Sequence, residues 1–189
     1  MDALLTTFLA ALVAELGDKS QLMALALVAR FPDRRGAVLC GIAAGLLATA
    51  LLAAAGGALV ADLVNFRAVS LMCGLALIFA GITMFRPPAT PREAIYDRLG
   101  AFGAAAFAIG VMAFGDRTQF LTFALAARAD SVVLAGIGGG LGALAATLPV
   151  ALAGRQLADR LPLRPMRATA GALLVLIGTI VALNALRLI

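Results

Sequence analysis

Histidine and tryptophan are absent from this 189-residue chain, and it holds one lysine, one tyrosine and two cysteines. Without histidine there is no Ser-His or Cys-His pair, no HExxH site and no His-containing zinc site, so an enzyme is not expected. Cys40 and Cys73 stand alone inside apolar runs without CxxC spacing, which argues against a disulfide framework. Charge is scarce too, at 13% of residues against 63% hydrophobic, with mean hydropathy +1.05. That leaves too little polar surface to cover a soluble globule, and the composition is that of an integral membrane protein.

What is present is a series of apolar runs. A helix needs about 20 apolar residues to cross a roughly 30 Å hydrocarbon core. Six stretches qualify or come close, at about Ala3 to Ala29, Gly36 to Ala61, Arg67 to Phe85, Gly100 to Ala127, Ser131 to Gly154 and Met166 to Leu186. The first begins Met1-Asp2-Ala3 with no basic flank and carries acids, so it is read as a retained helix rather than a signal peptide. Polar loops separate the runs, among them Arg30-Phe31-Pro32-Asp33-Arg34-Arg35, the basic stretch Arg155 to Arg167, and the proline-rich connector that opens Arg86-Pro87-Pro88. The connector, residues 86–99, divides a first three-helix unit, 1–85, from a second, 100–189.

Against this background two short stretches stand out. Glu15-Leu16-Gly17-Asp18-Lys19-Ser20-Gln21 lies inside the first apolar run, and Phe114-Gly115-Asp116-Arg117-Thr118-Gln119 lies inside the fourth. A charge at mid-bilayer depth costs about 2.5 to 3.5 kcal/mol on insertion scales, so these charges need partners, water or an ion. The chain's only lysine, Lys19, is among them.

The two motifs align at an offset of 98, Ala29-Arg30 aligns with Ala127-Arg128, Ala61-Asp62 with Ala158-Asp159, and Gly74 and Gly81 with Gly171 and Gly178. Gly41 and Gly45 are matched to Gly136 and Gly140. A unit of three spans is odd, so its second copy enters the membrane from the other side. The expected fold is an all-α membrane protein of six transmembrane helices in an inverted 3+3 repeat. Ten arginines fall in connectors one, three and five, while the opposite face has only Arg67, Arg128 and Arg187. The positive-inside rule then puts both termini outside the cytoplasm. Basic residues confined to short loops also account for the +5 charge without invoking nucleic acid.

On a helix, Glu15, Asp18 and Gln21 share one side, as do Asp116 and Gln119. Facing each other, and with the hydroxyls of Ser20 and Thr118, they form an all-oxygen donor set suited to a hard divalent cation. Gly17 and Gly115 permit close backbone approach or a local opening of the helix that offers carbonyls. Carboxylates there bind protons or metal but not both, which is the minimum chemistry for cation/proton exchange. Lys19 and Arg117 are expected to balance or couple the charge, each reaching the acid of the opposite repeat. The competing reading makes the charges a structural ion-pair cluster and leaves the amides and hydroxyls to interhelical hydrogen bonds.

Glu-x-Gly-Asp-Lys-Ser followed by Gly-Asp-Arg-Thr, in six spans with three-plus-three symmetry, resembles the GDT family of membrane cation/proton exchangers, related to the LysE-type transporters. That family's pattern is E-x-G-D-[KR]-[ST] once per repeat, and the resemblance covers essentially the whole chain. It implies that Glu15, Asp18 and Asp116 act as cation and proton ligands and that the cargo is Mn²⁺ or, next, Ca²⁺. One position departs: Ala113 stands where the second motif should carry Glu. Three acids against Lys19 and Arg117 leave a formal charge of −1 where the full pattern would give −2.

The resulting expectation is a bacterial inner-membrane, multi-pass antiporter that exports Mn²⁺ in exchange for protons. It has no permanent cofactor, lipid and its transported ions are its partners, and a homodimer is left open. Two alternatives are a proton-coupled exporter of a small organic solute and a non-transporting membrane scaffold.

Overall fold

The computed structural model describes residues 2–86, 97–153 and 163–188. Every regular element among them is helical: α1 Asp2–Glu15, α2 Lys19–Arg30, α3 Arg35–Ala61, α4 Phe66–Met84, α5 Gly100–Ala113, α6 Arg117–Ala126, α7 Val132–Ala153 and α8 Leu163–Ala185. Single 3-10 turns at Pro32–Arg34 and Asp97–Leu99 lead into α3 and α5. Most of the proline-rich connector and of the basic loop lies outside the described residues, and with them Arg92, Glu93, Arg155, Asp159 and Arg160.

Four helical stretches are long and apolar enough to cross a membrane: Pro32–Ala61, Phe66–Met84, Val132–Ala153 and Arg164–Ala185. The first and fourth apolar runs of the sequence are not continuous helices. The first is divided into α1 and α2 by Leu16-Gly17-Asp18, and the fourth into α5 and α6 by Phe114-Gly115-Asp116. At about 1.5 Å per residue a 14-residue helix such as α1 or α5 rises about 21 Å, short of the roughly 30 Å core. A span at either place would need both segments of the pair. The sixth run also differs from expectation: α8 starts at Leu163 rather than near Met166, so Arg164 and Arg167 belong to a helix and not to a loop.

Small residues let these helices approach closely. Gly41 and Gly45 of α3 face Phe102, Ala105 and Ala106 of α5, and a Cβ on Gly45 would stand 2.7 Å from the Ala106 carbonyl oxygen. Gly138 and Gly142 of α7 meet the carbonyls of Leu4 and Phe8 in α1 in the same way. The sequence alignment of Gly41 and Gly45 with Gly136 and Gly140 is therefore corrected, because those two face Leu51 and Leu47 of α3. The glycines making equivalent contacts are Gly138 and Gly142, at the offset of 97 that also relates Gly74 to Gly171. Gly74 and Gly81 of α4 pack against Gly178, Ala182 and Gly171 of α8.

Two main cores result. One gathers Met23, Leu27, Ile42, Leu46, Ile109 and Leu144 from α2, α3, α5 and α7. The other gathers Ala14, Leu77, Met84, Leu121 and Leu174 from α1, α4, α6 and α8. Leu52, Leu59, Phe79, Ile82 and Leu176 remain exposed on the outside, the surface a bilayer covers.

Candidate metal centre

Both breaks have the same construction. Gly17 at φ +68° and Gly115 at φ +73° adopt the left-handed conformation that ends a helix and that side chains resist. Asp18 and Asp116 follow in extended conformation at the N-cap positions of α2 and α6. An N-cap Asp ordinarily spends its carboxylate on the first backbone N–H groups of the helix. Neither does so here, so both carboxylates are directed to other partners than the helix ends.

Glutamines hold the breaks instead. Gln21 Oε1 accepts from the Gly17 N–H at 3.2 Å while its Nε2 donates to the Ala146 carbonyl at 2.9 Å. Gln119 Oε1 accepts from the Gly115 N–H at 2.5 Å while its Nε2 donates to the Thr49 carbonyl at 3.1 Å. Each amide thus ties one broken helix to a continuous one, α2 to α7 and α6 to α3. Expected as oxygen donors to an ion, the two glutamines have both ends engaged on backbone.

The acids converge. Glu15, Asp18 and Asp116 bring carboxylate oxygens within 4.8 Å of one another, about twice a typical bond length from oxygen to a hard cation. Glu15, 2% exposed, accepts from Ser20 Oγ on one oxygen and from Thr118 Oγ1 at 2.6 Å on the other, so it joins the two motifs. Asp18 is ion-paired through Oδ1 to Arg117 Nη2 at 2.8 Å, and its buried Oδ2 has no hydrogen-bond donor among the described residues. Lys19 Nζ stands 3.4 Å from Asp116 Oδ1. Each base therefore reaches the acid of the other motif, and Arg117 Nε also donates to the Ala14 carbonyl at 2.9 Å.

A cavity of about 20 Å³ adjoins the cluster, lined by Glu15, Lys19, Ser20, Asp116, Thr118 and Gln119 together with Thr49, Met112, Ala113 and Thr122. Asp18 and Gln21 do not line it. The carbonyl ends of α1 and α5, at Glu15 and Ala113, stop beside it, and the negative end of a helix dipole favours a cation. The amino ends of α2 and α6 favour the Asp18 and Asp116 carboxylates.

The two breaks are not equally covered. Gly17 and Asp18 are buried, and a Cβ on Gly17 would lie 2.5 Å from the Arg167 side chain, whereas Gly115 is exposed with open space around it. Arg167, read in sequence as a loop residue, is 7% exposed and donates to the Arg86 carbonyl. Its only sequence signal was a basic residue at the very start of the sixth apolar run. Thr49 and Thr122 were likewise not singled out, because an isolated threonine in an apolar helix usually bonds its own backbone, as both do here.

The chain matches the family model for the divalent cation/proton antiporter GDT1 in two stretches, residues 3–91 and 101–188. It is 34% identical over 167 residues to a Vibrio cholerae serotype O1 protein named "Putative manganese exporter", covering 87% of this chain and 82% of that one. No solved structure gives a significant match. On the strength of that match across both halves, the chain belongs to the divalent cation/proton antiporter GDT1 family, a family of multi-pass membrane cation transporters.

Proposed function

We propose that this protein exports Mn²⁺, with Ca²⁺ the next candidate, across a bacterial inner membrane in exchange for protons. The observation that carries the reading is the convergence of Glu15, Asp18 and Asp116 inside an apolar bundle, with carboxylate oxygens within 4.8 Å of one another beside a small cavity that Glu15 and Asp116 line. In this reading the substrate ion is held by these three carboxylates, with Ser20 and Thr118 as neighbouring hydroxyl donors. Lys19 and Arg117 stabilise the acids when the ion leaves, and Gln21 and Gln119 brace the breaks. Protons and metal compete for the same oxygens, so arrival of one drives departure of the other. The cargo named for the Vibrio cholerae relative favours manganese.

The architecture we propose is six spans, two of them broken, in an inverted 3+3 repeat whose units are 1–85 and 100–189. Both termini are placed outside the cytoplasm. Support comes from the matched Gly-Asp breaks, the reciprocal ion pairs and the glycine contacts at an offset of 97.

Two rival readings fare less well. A cavity of about 20 Å³ holds about one water-sized occupant, too small for an organic solute. A purely structural ion-pair cluster would balance its charges, yet Glu15 is bonded to hydroxyls and left without a salt bridge among the described residues. The test is uptake of Mn²⁺ into inside-out vesicles with and without a pH gradient. Uptake that collapses with the gradient and is lost in Glu15→Gln and Asp116→Asn is expected. Uptake indifferent to both would refute the proposal.

A further inference from the structure

Arg67, Arg128 and Arg187, the three arginines outside the basic connectors and the charged motifs, line a single cleft of about 510 Å³ at one end of the bundle. They arrive from three places, the first turn of α4, the segment after α6 and the segment after α8. Among the described residues no acidic side chain lines the cleft, and no salt bridge engages any of the three. Arg128 lies over the Phe66 ring at 5.2 Å, and Asn184 adds an amide to the wall.

A second observation bears on the same place. Among the described residues Arg187 is the only non-glycine residue with positive φ, at 59°. It occupies the left-handed position of a Schellman-type helix end, where Arg187 N–H donates to the Asn184 carbonyl and Leu188 N–H to the Leu183 carbonyl, both at 3.0 Å. Glycine is the residue that position favours. An arginine there works against helix termination, and what it supplies is a third guanidinium in the cleft.

We infer that the cleft between α4 and α8 binds a phosphate group, carried by the headgroup of an anionic phospholipid. Guanidinium groups pair with phosphate oxygens through several parallel hydrogen bonds, and three of them with no counter-charge among the described residues make one positive site that attracts an anion. A lipid is the favoured source because Phe66 and Ile180, 67% and 51% exposed, offer apolar surface at the cleft wall for the first carbons of an acyl chain. The cleft is separate from the carboxylate cluster and its role does not depend on which ion is transported.

The full chain, purified in a neutral detergent, is melted while phosphatidylglycerol, phosphatidylcholine or inorganic phosphate is titrated at constant ionic strength. Phosphatidylglycerol is expected to raise Tm by about 3 °C or more, with no comparable effect of phosphatidylcholine. A shift of the same size with inorganic phosphate keeps the site and makes a free anion its ligand. Arg187→Gly separates ligand from fold: it is expected to raise Tm in the absence of lipid, by relieving the left-handed arginine, and to weaken the phosphatidylglycerol response about tenfold. Arg128→Gln with Arg187→Gly should abolish the response, and Arg67→Gln gives the same readout if that double variant does not fold. Equal shifts with both lipids, or an undiminished response in the variants, would overturn the inference.

Discussion

Arg117 Nη2 lies 2.8 Å from Asp18 Oδ1, and both side chains are almost wholly buried. The counterpart pair, Lys19 and Asp116, is longer at 3.4 Å and partly open to solvent. Removing one partner of a buried pair strands the other charge at a cost of about 3 to 5 kcal/mol, whereas an exposed pair contributes about 1 kcal/mol or less. Arg117→Ala is therefore expected to lower the melting temperature of the purified protein far more than Lys19→Ala. Equal losses would mean that the two pairs are energetically alike despite their different burial.

The glycines of the two breaks make a second contrast. Alanine at either position meets the left-handed penalty of about 1 to 2 kcal/mol. At Gly115 nothing else lies within 4 Å, but at Gly17 the new Cβ would sit 2.5 Å from Arg167 Cδ. Gly17→Ala should destabilise the fold more than Gly115→Ala, as judged by thermal melting of the two proteins side by side.

Ala113 is partly buried and borders the cavity, where the family pattern has an acid. Ala113→Glu would take the formal charge of the cluster from −1 to −2. Mn²⁺ should then bind at least about tenfold more tightly, which is about 1.4 kcal/mol. A metal titration followed by melting temperature reads this directly, and unchanged affinity would place the added carboxylate away from the ion.

In the proposed mechanism Gln21 and Gln119 brace the helix breaks rather than coordinate the ion. Gln21→Leu leaves the buried Gly17 N–H without its acceptor, at about 1 to 3 kcal/mol, and removes the hydrogen bond that ties α2 to the Ala146 carbonyl. The variant should be less stable yet keep its Mn²⁺-induced rise in melting temperature, whereas Glu15→Gln should lose that rise. Loss of the metal response in Gln21→Leu would return the amide to the ligand set.

Much of this protein was legible in order along the chain. Apolar runs against so little charge require a membrane, and Glu15, Asp18 and Asp116 mark the candidate site because an unused acid in such a run is expensive. The reciprocal reach of Lys19 and Arg117 was anticipated from the repeat, and the structure has it. Which faces meet was not legible, since helices built from Ala, Gly and Leu on every side carry no apolar stripe to show their orientation. The register of Gly138 and Gly142 was misjudged for that reason.

The amino-acid sequence by itself determined the solvent this chain must live in and the residues too polar to be there without a task, and it left open whether Gly17 and Gly115 serve close packing or a break in the helix. Only the tertiary structure decided that Gln21 and Gln119 hold backbone, that Arg167 covers Gly17, and that Arg67, Arg128 and Arg187 meet in one cleft. The reason is that burial cost belongs to each residue alone, whereas a partner exists only once two separately encoded helices have been brought face to face.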